Sequence, residues 1–114
     1  MEKGSITLRY LQSYIAAKDH SRDDPNHSSL NTFVKLTEEL GELARHVVRG
    51  SRHATGESDI KGSVEEEIYD VLYYLLLFAS NEGVDIESWI PLKEEINRRR
   101  YPSGVKFDPD GETL

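Results

Sequence analysis

KLTEELGELARHV (residues 35–47) and SVEEEIYDVLYYLLLFA (residues 63–79) decide how this chain folds. Both read as amphipathic helices, and each carries two acids three residues apart, Glu39 with Glu42 and Glu67 with Asp70. A step of three sets two carboxylates roughly 60° apart on one helix face. Packed antiparallel, the two helices bring four carboxylates to one place. Each like-charged pair about 4 Å apart costs on the order of 4 kcal/mol at an effective dielectric of 20. A folded protein keeps such a cluster only around something positive. A hard divalent cation such as Mg²⁺ suits an all-oxygen ligand set.

The apolar residues follow the same period. Phe33, Leu36, Leu40, Leu43, Ala44 and Val47 share one helix face, spanning about 100°, with Lys35, Glu39, Glu42 and His46 along its edge. In the next helix Ile68, Val71, Leu72, Leu75 and Ala79 make the apolar face, flanked by Glu67, Asp70 and Tyr74. Tyr69, Tyr73, Leu76 and Leu77 continue around that helix, which predicts a second buried side against another copy of the chain. Carboxylates that border a core are what a site between packed helices requires.

Four helical segments are expected. The first runs from about Ile6 to Lys18, with Leu8, Leu11, Tyr14 and Ile15 at helical spacing, and the polar run DHSRDDPNHSS breaks it. The second spans about Leu30 to Arg49. The third spans about Val64 to Asn81, opened by a capping box of Ser63 and Glu66. Between them GSRHATGESDIKG reads as a mobile loop. Asp85 caps a fourth helix reaching about Arg100, where Pro91 predicts a kink or a short first segment. Residues 103–114 read as an extended tail, and nothing reads as a strand. The expected fold is all-α, a four-helix, bundle-like protomer in a homo-oligomer. Residues 1–114 form a single domain with its core over about 30–102.

Composition excludes several classes. The 114 residues carry a formal charge of −7 and no cysteine. Nucleic-acid binding needs a broad basic surface that this balance does not supply, and thiolate metal sites, disulfides and cysteine nucleophiles are ruled out. The longest apolar stretch, Val71 to Ala79, is too short to span a bilayer, and the opening residues lack a signal-peptide core. A cytoplasmic protein with no membrane partner is expected.

An acidic run can also be a solvated helix face. That reading suits Glu65 and Glu66, in the first turn where the helix dipole favours negative charge, and it can include Glu67. It does not suit Asp70, which lies past that turn, nor Glu39 and Glu42, which lie mid-helix. A di-iron bundle needs Glu-x-x-His steps. Here His46 follows Glu42 by four residues and no histidine neighbours Glu67 or Asp70. His20, His27 and His53 fall in loops, away from any ligand set.

EELGE at residues 38–42, followed after 24 residues by EIYD at 67–70, resembles the Glu-Glu-x-x-Glu…Glu-x-x-Asp signature of MazG-type nucleotide pyrophosphohydrolases. KEEINRRRYP is similar to the family's Lys-x-x-x-Asn-x-x-Arg-Tyr segment, here Lys93, Asn97, Arg100 and Tyr101. The resemblance covers about residues 30–102. It implies an all-α enzyme that cleaves nucleoside triphosphates to the monophosphate and pyrophosphate with Mg²⁺ or sometimes Mn²⁺. It implies Glu39, Glu42, Glu67 and Asp70 as metal ligands, Glu38 as an auxiliary acid acting on water, and a dimer or tetramer with sites completed near the subunit interface. Unlike the bifunctional two-domain members, this chain supplies one copy of the site.

Lys93, Asn97 and Arg100 lie within about 60° on the fourth helix, on the side of Trp89 and Ile96, while Arg98 and Arg99 point elsewhere. Such cations can snorkel from a core edge. Beside a metal site they can instead neutralise a polyphosphate, with Asn97 positioning it. Lys35 can reach phosphate or pair with Glu39 one turn on. Two other readings stand beside the pyrophosphohydrolase: a phosphoribosyl-ATP pyrophosphohydrolase-like enzyme, and a non-catalytic helical module that binds metal or nucleotide.

Overall fold

The computed structural model describes residues 4–21 and 28–114. Four helices account for the regular structure: α1 (Leu8–His20), α2 (Ser29–Val48), α3 (Val64–Asn81) and α4 (Ile86–Arg100). A short 3₁₀ turn at Glu57–Asp59 lies between α2 and α3, and no strand occurs among the described residues. No described helix is long and apolar enough to cross a membrane. His27 and most of the connection after α1 lie outside the described residues.

Side-chain caps start three of the helices. Thr7 Oγ1 accepts the Tyr10 N–H and Ser28 Oγ the Asn31 N–H, at 3.0 and 3.1 Å, each satisfying an orphan donor. Ser63 Oγ accepts the Glu66 N–H at 3.2 Å, but the Glu66 carboxylate reaches back to the Gly62 N–H instead of completing the expected box with Ser63. Asp85 precedes α4 with its carboxylate turned to Arg9 and the Ser88 hydroxyl. At the far end of α3, Gly83 takes φ 71°. Its N–H then reaches Ser80 O and that of Val84 reaches Ala79 O, at 3.0 and 2.8 Å, the paired bonds of a Schellman close that glycine permits.

α2 and α3 make the most extensive packing and run antiparallel. Val64 at the start of α3 bonds to Arg52 just past α2, and Asn81 at its end donates to Thr32 Oγ1 at the start of α2, both at 2.9 Å. α1 lies along the other side of α3, and α4 packs on α1. The core is Ile15, Leu76 and Leu77, with Leu11, Leu72, Tyr73, Tyr74 and Ile86 around it.

This placement corrects the expected faces of α3. Leu76 and Leu77 are 2% and 5% exposed inside the protomer, whereas Ile68 and Leu75, assigned to its main apolar face, are 55% and 45% exposed. α1 covers the side that was expected to meet another chain. α2 is rotated too: Thr32, Leu36, Glu39, Leu43 and His46 are its more covered residues, while Phe33, Leu40 and Val47 stay about half exposed or more. The protomer is therefore open. Its radius of gyration, 16.8 Å, exceeds the about 13 Å of a compact chain of this length. Its accessible surface, 9114 Å², exceeds the roughly 6,300 Å² of a compact monomer of its mass.

Two smaller expectations also change. α4 runs unbroken through Pro91, so there is no short first segment. The tail is extended only in part: Asp108 accepts from the N–H groups of Asp110, Glu112 and Thr113 and folds the end into a turn.

Candidate metal and substrate site

Glu39 on α2 and Glu67 and Asp70 on α3 each offer a carboxylate oxygen, and these oxygens all lie within 4.8 Å of one another. The seam of α2 explains the meeting. Residues 32, 36, 39, 43 and 46 step by four and three, so Glu39 occupies a position that would otherwise hold an apolar contact. One oxygen of Glu39 and one of Glu67 are buried without a hydrogen-bond partner. Buried acceptors are normally satisfied, and the unpaired oxygens of Glu39 and Glu67 are free to take a cation as their partner. All the donors are hard oxygens, the set that suits Mg²⁺ or Mn²⁺ over thiophilic metals.

Electrostatics record the same strain. Burial, and then the charges of Glu42, Asp70 and Glu67, hold the Glu39 carboxyl above its ordinary range. Burial, and then Glu66, Glu67 and Glu42, raise that of Asp70. Glu42 is thus near enough to be felt by both, yet it is exposed and stands outside the close trio. Three of the four expected ligands converge, and the fourth lies at the margin.

Glu38 is exposed and pairs with Lys35 at 3.5 Å. Lys35 therefore takes Glu38, not Glu39, as its partner, and that neighbour chiefly raises the lysine pKa. Glu38 and Glu42 line one shallow depression with Phe33, Thr37 and Arg45 on the open face of α2.

The basic segment lies apart. α4 packs on α1 and not substantially on α2 or α3, so Lys93, Asn97, Arg100 and Tyr101 do not join the acidic trio within one protomer. Lys93 and Arg100 are exposed, as is Tyr101 at 72%. Asn97 and Tyr101 line a groove of about 630 Å³ between α4 and the tail residues Val105 and Phe107. Arg98 is occupied by Glu95 at 2.8 Å. Trp89 is 59% exposed and joins no core within the protomer.

The α2–α3 loop was the least anticipated part. Glu65 was expected merely to face solvent, but it holds His53 Nδ1 and the Ala54 N–H, both at 2.7 Å. These contacts bring its pKa down to about 2, the Ala54 N–H first and His53 second. His46 Nε2 accepts the Arg52 N–H at 2.9 Å, so that nitrogen faces the loop. The density of polar residues in RHATGESD was the available signal.

A family model described as the MazG nucleotide pyrophosphohydrolase domain matches residues 27–104. Human dCTP pyrophosphatase 1 is 36% identical over 101 residues, 84% of this chain and 58% of that protein. The chain thus spans little more than half the length of that relative. Among solved structures, iMazG from Vibrio DAT 722 superposes with a TM-score of 0.70 at 38% identity, covering 86% of this chain and 100% of that one. The Bacillus-conserved MazG protein, a nucleotide pyrophosphohydrolase, superposes with a TM-score of 0.63 at 27% identity, covering 91% and 98% of the two chains.

Proposed function

Because this chain belongs to the MazG nucleotide pyrophosphohydrolase family, we propose that it hydrolyses nucleoside triphosphates to the monophosphate and pyrophosphate with Mg²⁺, or Mn²⁺ in its place. The observation that carries the reading is the partly buried trio of Glu39, Glu67 and Asp70 with two oxygens left unpartnered. These three residues would hold the cation, with Glu42 completing the set from the margin. A cation bound there supplies Lewis acidity toward a phosphoryl oxygen and lowers the pKa of the attacking water.

The remaining roles belong to the chain itself. Glu38, beside Glu42 on the open face of α2, is the auxiliary acid that orients water or takes its proton. Lys35, held only by one long exposed ion pair, is free to swing to a phosphate. Lys93 and Arg100 neutralise the polyphosphate, Asn97 hydrogen-bonds it, and Tyr101 closes the segment against the substrate. No covalent intermediate is required.

Since α4 stands away from the trio of its own protomer, the cationic half of the site comes from a neighbouring subunit. The uncovered apolar residues of α2 and α3, Phe33, Leu40, Val47, Ile68 and Leu75, support a homodimer or homotetramer. Exposed apolar area on this scale is otherwise an aggregation liability. The chain is read as one domain of a cytoplasmic enzyme with a nucleotide substrate and neither nucleic-acid nor membrane partner.

The decisive experiment is hydrolysis in ¹⁸O-labelled water with a panel of triphosphates. The panel starts from dCTP, the nucleotide in the name of the human relative. Attack at the α-phosphorus places label in the monophosphate alone and leaves pyrophosphate intact. Label in orthophosphate from the γ position would refute the assignment.

A further inference from the structure

The trio exists only while α2 and α3 keep one spacing, and Arg52 is the node of the loop between them. Its main-chain N–H donates to His46 Nε2 on α2, and its carbonyl accepts from the Val64 N–H that opens α3, each at 2.9 Å. Its guanidinium donates to the carbonyls of Asp59 and Lys61, at 3.1 and 2.6 Å. That fork draws the far half of the loop back toward α2. Gly62, at φ 77°, turns the chain beneath the guanidinium, and a Cβ there would stand 3.7 Å from it. The Gly62 N–H then meets Glu66 Oε1 at 3.2 Å, one residue before Glu67. His53 and Ala54 add a second stitch onto Glu65.

We propose that Arg52 is a positioning residue for the acidic site: its guanidinium braces the loop so that the main-chain ties from residue 52 to the end of α2 and the start of α3 hold, and so sets the affinity for the divalent cation. The trio puts like charge into a helix seam, and repulsion there pushes the two helices apart. Apolar packing cannot resist at Glu39, where a carboxylate replaces a core contact. The loop ties therefore reinforce the packing of α2 on α3 at the Glu67 end of the seam. A planar guanidinium reaches two carbonyls in a fixed geometry that the single ammonium of lysine does not reproduce. Arg52 bonds to none of the three carboxylates, so it acts on them through their spacing, and Arg52→Lys keeps its charge while losing the fork. The inference rests on reading the trio as a metal site and not on the hydrolytic reaction.

The test is Mn²⁺ binding to the full chain, measured by electron paramagnetic resonance without nucleotide. Arg52→Ala should weaken binding about tenfold, at the low end of what removing an outer support of a metal site does, with helicity unchanged by circular dichroism. Arg52→Lys should recover little of this loss, and His53→Ala should weaken binding less. Saturating Mn²⁺ should restore kcat in the Arg52 variants with KM for the triphosphate unchanged. Gln12→Leu, which destabilises the α3–α4 turn away from the loop, should leave Mn²⁺ affinity unaltered. If Arg52→Ala does not fold, Arg52→Lys and His53→Ala carry the test. A folded Arg52 variant that binds Mn²⁺ as tightly as the wild type overturns the proposal, as does an equal loss in Gln12→Leu. Wild type that binds Mn²⁺ but cleaves no triphosphate removes the proposed activity and leaves this inference standing.

Discussion

The α2–α3 hairpin and α4 carry opposite charges and are held in opposite ways. The hairpin encloses its acids: Glu39, Glu67 and Asp70 are partly buried, clamped by the Thr32–Asn81 bond at one end and the Arg52 loop at the other. α4 leaves its cations outside. It is fastened near its start, where Gln12 Nε2 donates to Val84 O at 2.6 Å, Gln12 Oε1 accepts the Ile86 N–H, and Arg9 grips Asp85. Beyond that its basic turns run free of α2 and α3. The difference teaches that the acids are gathered within one protomer, whereas the cations of α4 are left exposed on its outside.

The largest expected effect strikes the enclosed half. Asp70→Asn should lower kcat by roughly 10²- to 10³-fold, the scale of losing one electrostatic stabiliser of a transition state, and should weaken Mn²⁺ binding directly. The metal-free variant should be no less stable than the wild type to urea, because one repelling charge is gone. Full turnover by Asp70→Asn would sink the site.

A smaller effect separates the halves. Arg100→Ala should raise KM for the triphosphate by about tenfold, near 1.4 kcal/mol, with Mn²⁺ affinity untouched. Arg99→Ala should do much less. Mixing inactive Asp70→Asn protein with Arg100→Ala protein should restore activity in hybrid oligomers, since one subunit then supplies intact carboxylates and the other an intact α4. Mixtures no better than the sum of their parts would return both halves to one chain.

What the sequence could and could not disclose follows from where the information lies. The start of α3 was legible because Ser63 acts locally on an adjacent backbone group. The trio was legible in outline, since a three-residue step constrains a helix face. The seam then chose among its members: Glu39 falls in the series of Thr32, Leu36, Leu43 and His46, while Glu42 falls off it. Which side of α3 meets α1 was not legible. Apolar residues run from Val71 to Ala79 almost without interruption, so the phase carries no contrast and the return of α1 decides it. The Arg52 ties were hidden for another reason. Their acceptors are main-chain carbonyls and an imidazole nitrogen, and carbonyls leave no trace in residue identity. The position of α4 depends on Gln12, a buried polar residue that holds the main-chain groups of Val84 and Ile86 beside the Ser80 hydroxyl, and main-chain partners cannot be read from residue identity.

The smallest expected effect is on the pH dependence of the metal-free protein, and its sign tests whether the enclosed half is strained. Glu39 and Asp70 have raised pKa values in the folded state, caused first by burial and then by neighbouring carboxylates. The folded state therefore holds protons that the unfolded chain releases, so stability must fall as pH rises through the interval between ordinary and raised values. Glu65 works the other way. Its depressed pKa, about 2, contributes stability that is present above the ordinary carboxylate range and lost as pH falls toward that value. The two can be told apart by unfolding in urea with a chelator just above the ordinary carboxylate range, where Glu65 is ionised in both states. Stability should decline with pH there, by a small amount because the acids are only partly buried and solvent screens them. Saturating Mg²⁺ should flatten the slope, since a cation replaces the protons, and Asp70→Asn should reduce it without metal. A slope that rises with pH under chelation would mean that the carboxylates are relaxed, and that the hairpin needs no cation to keep its acids together.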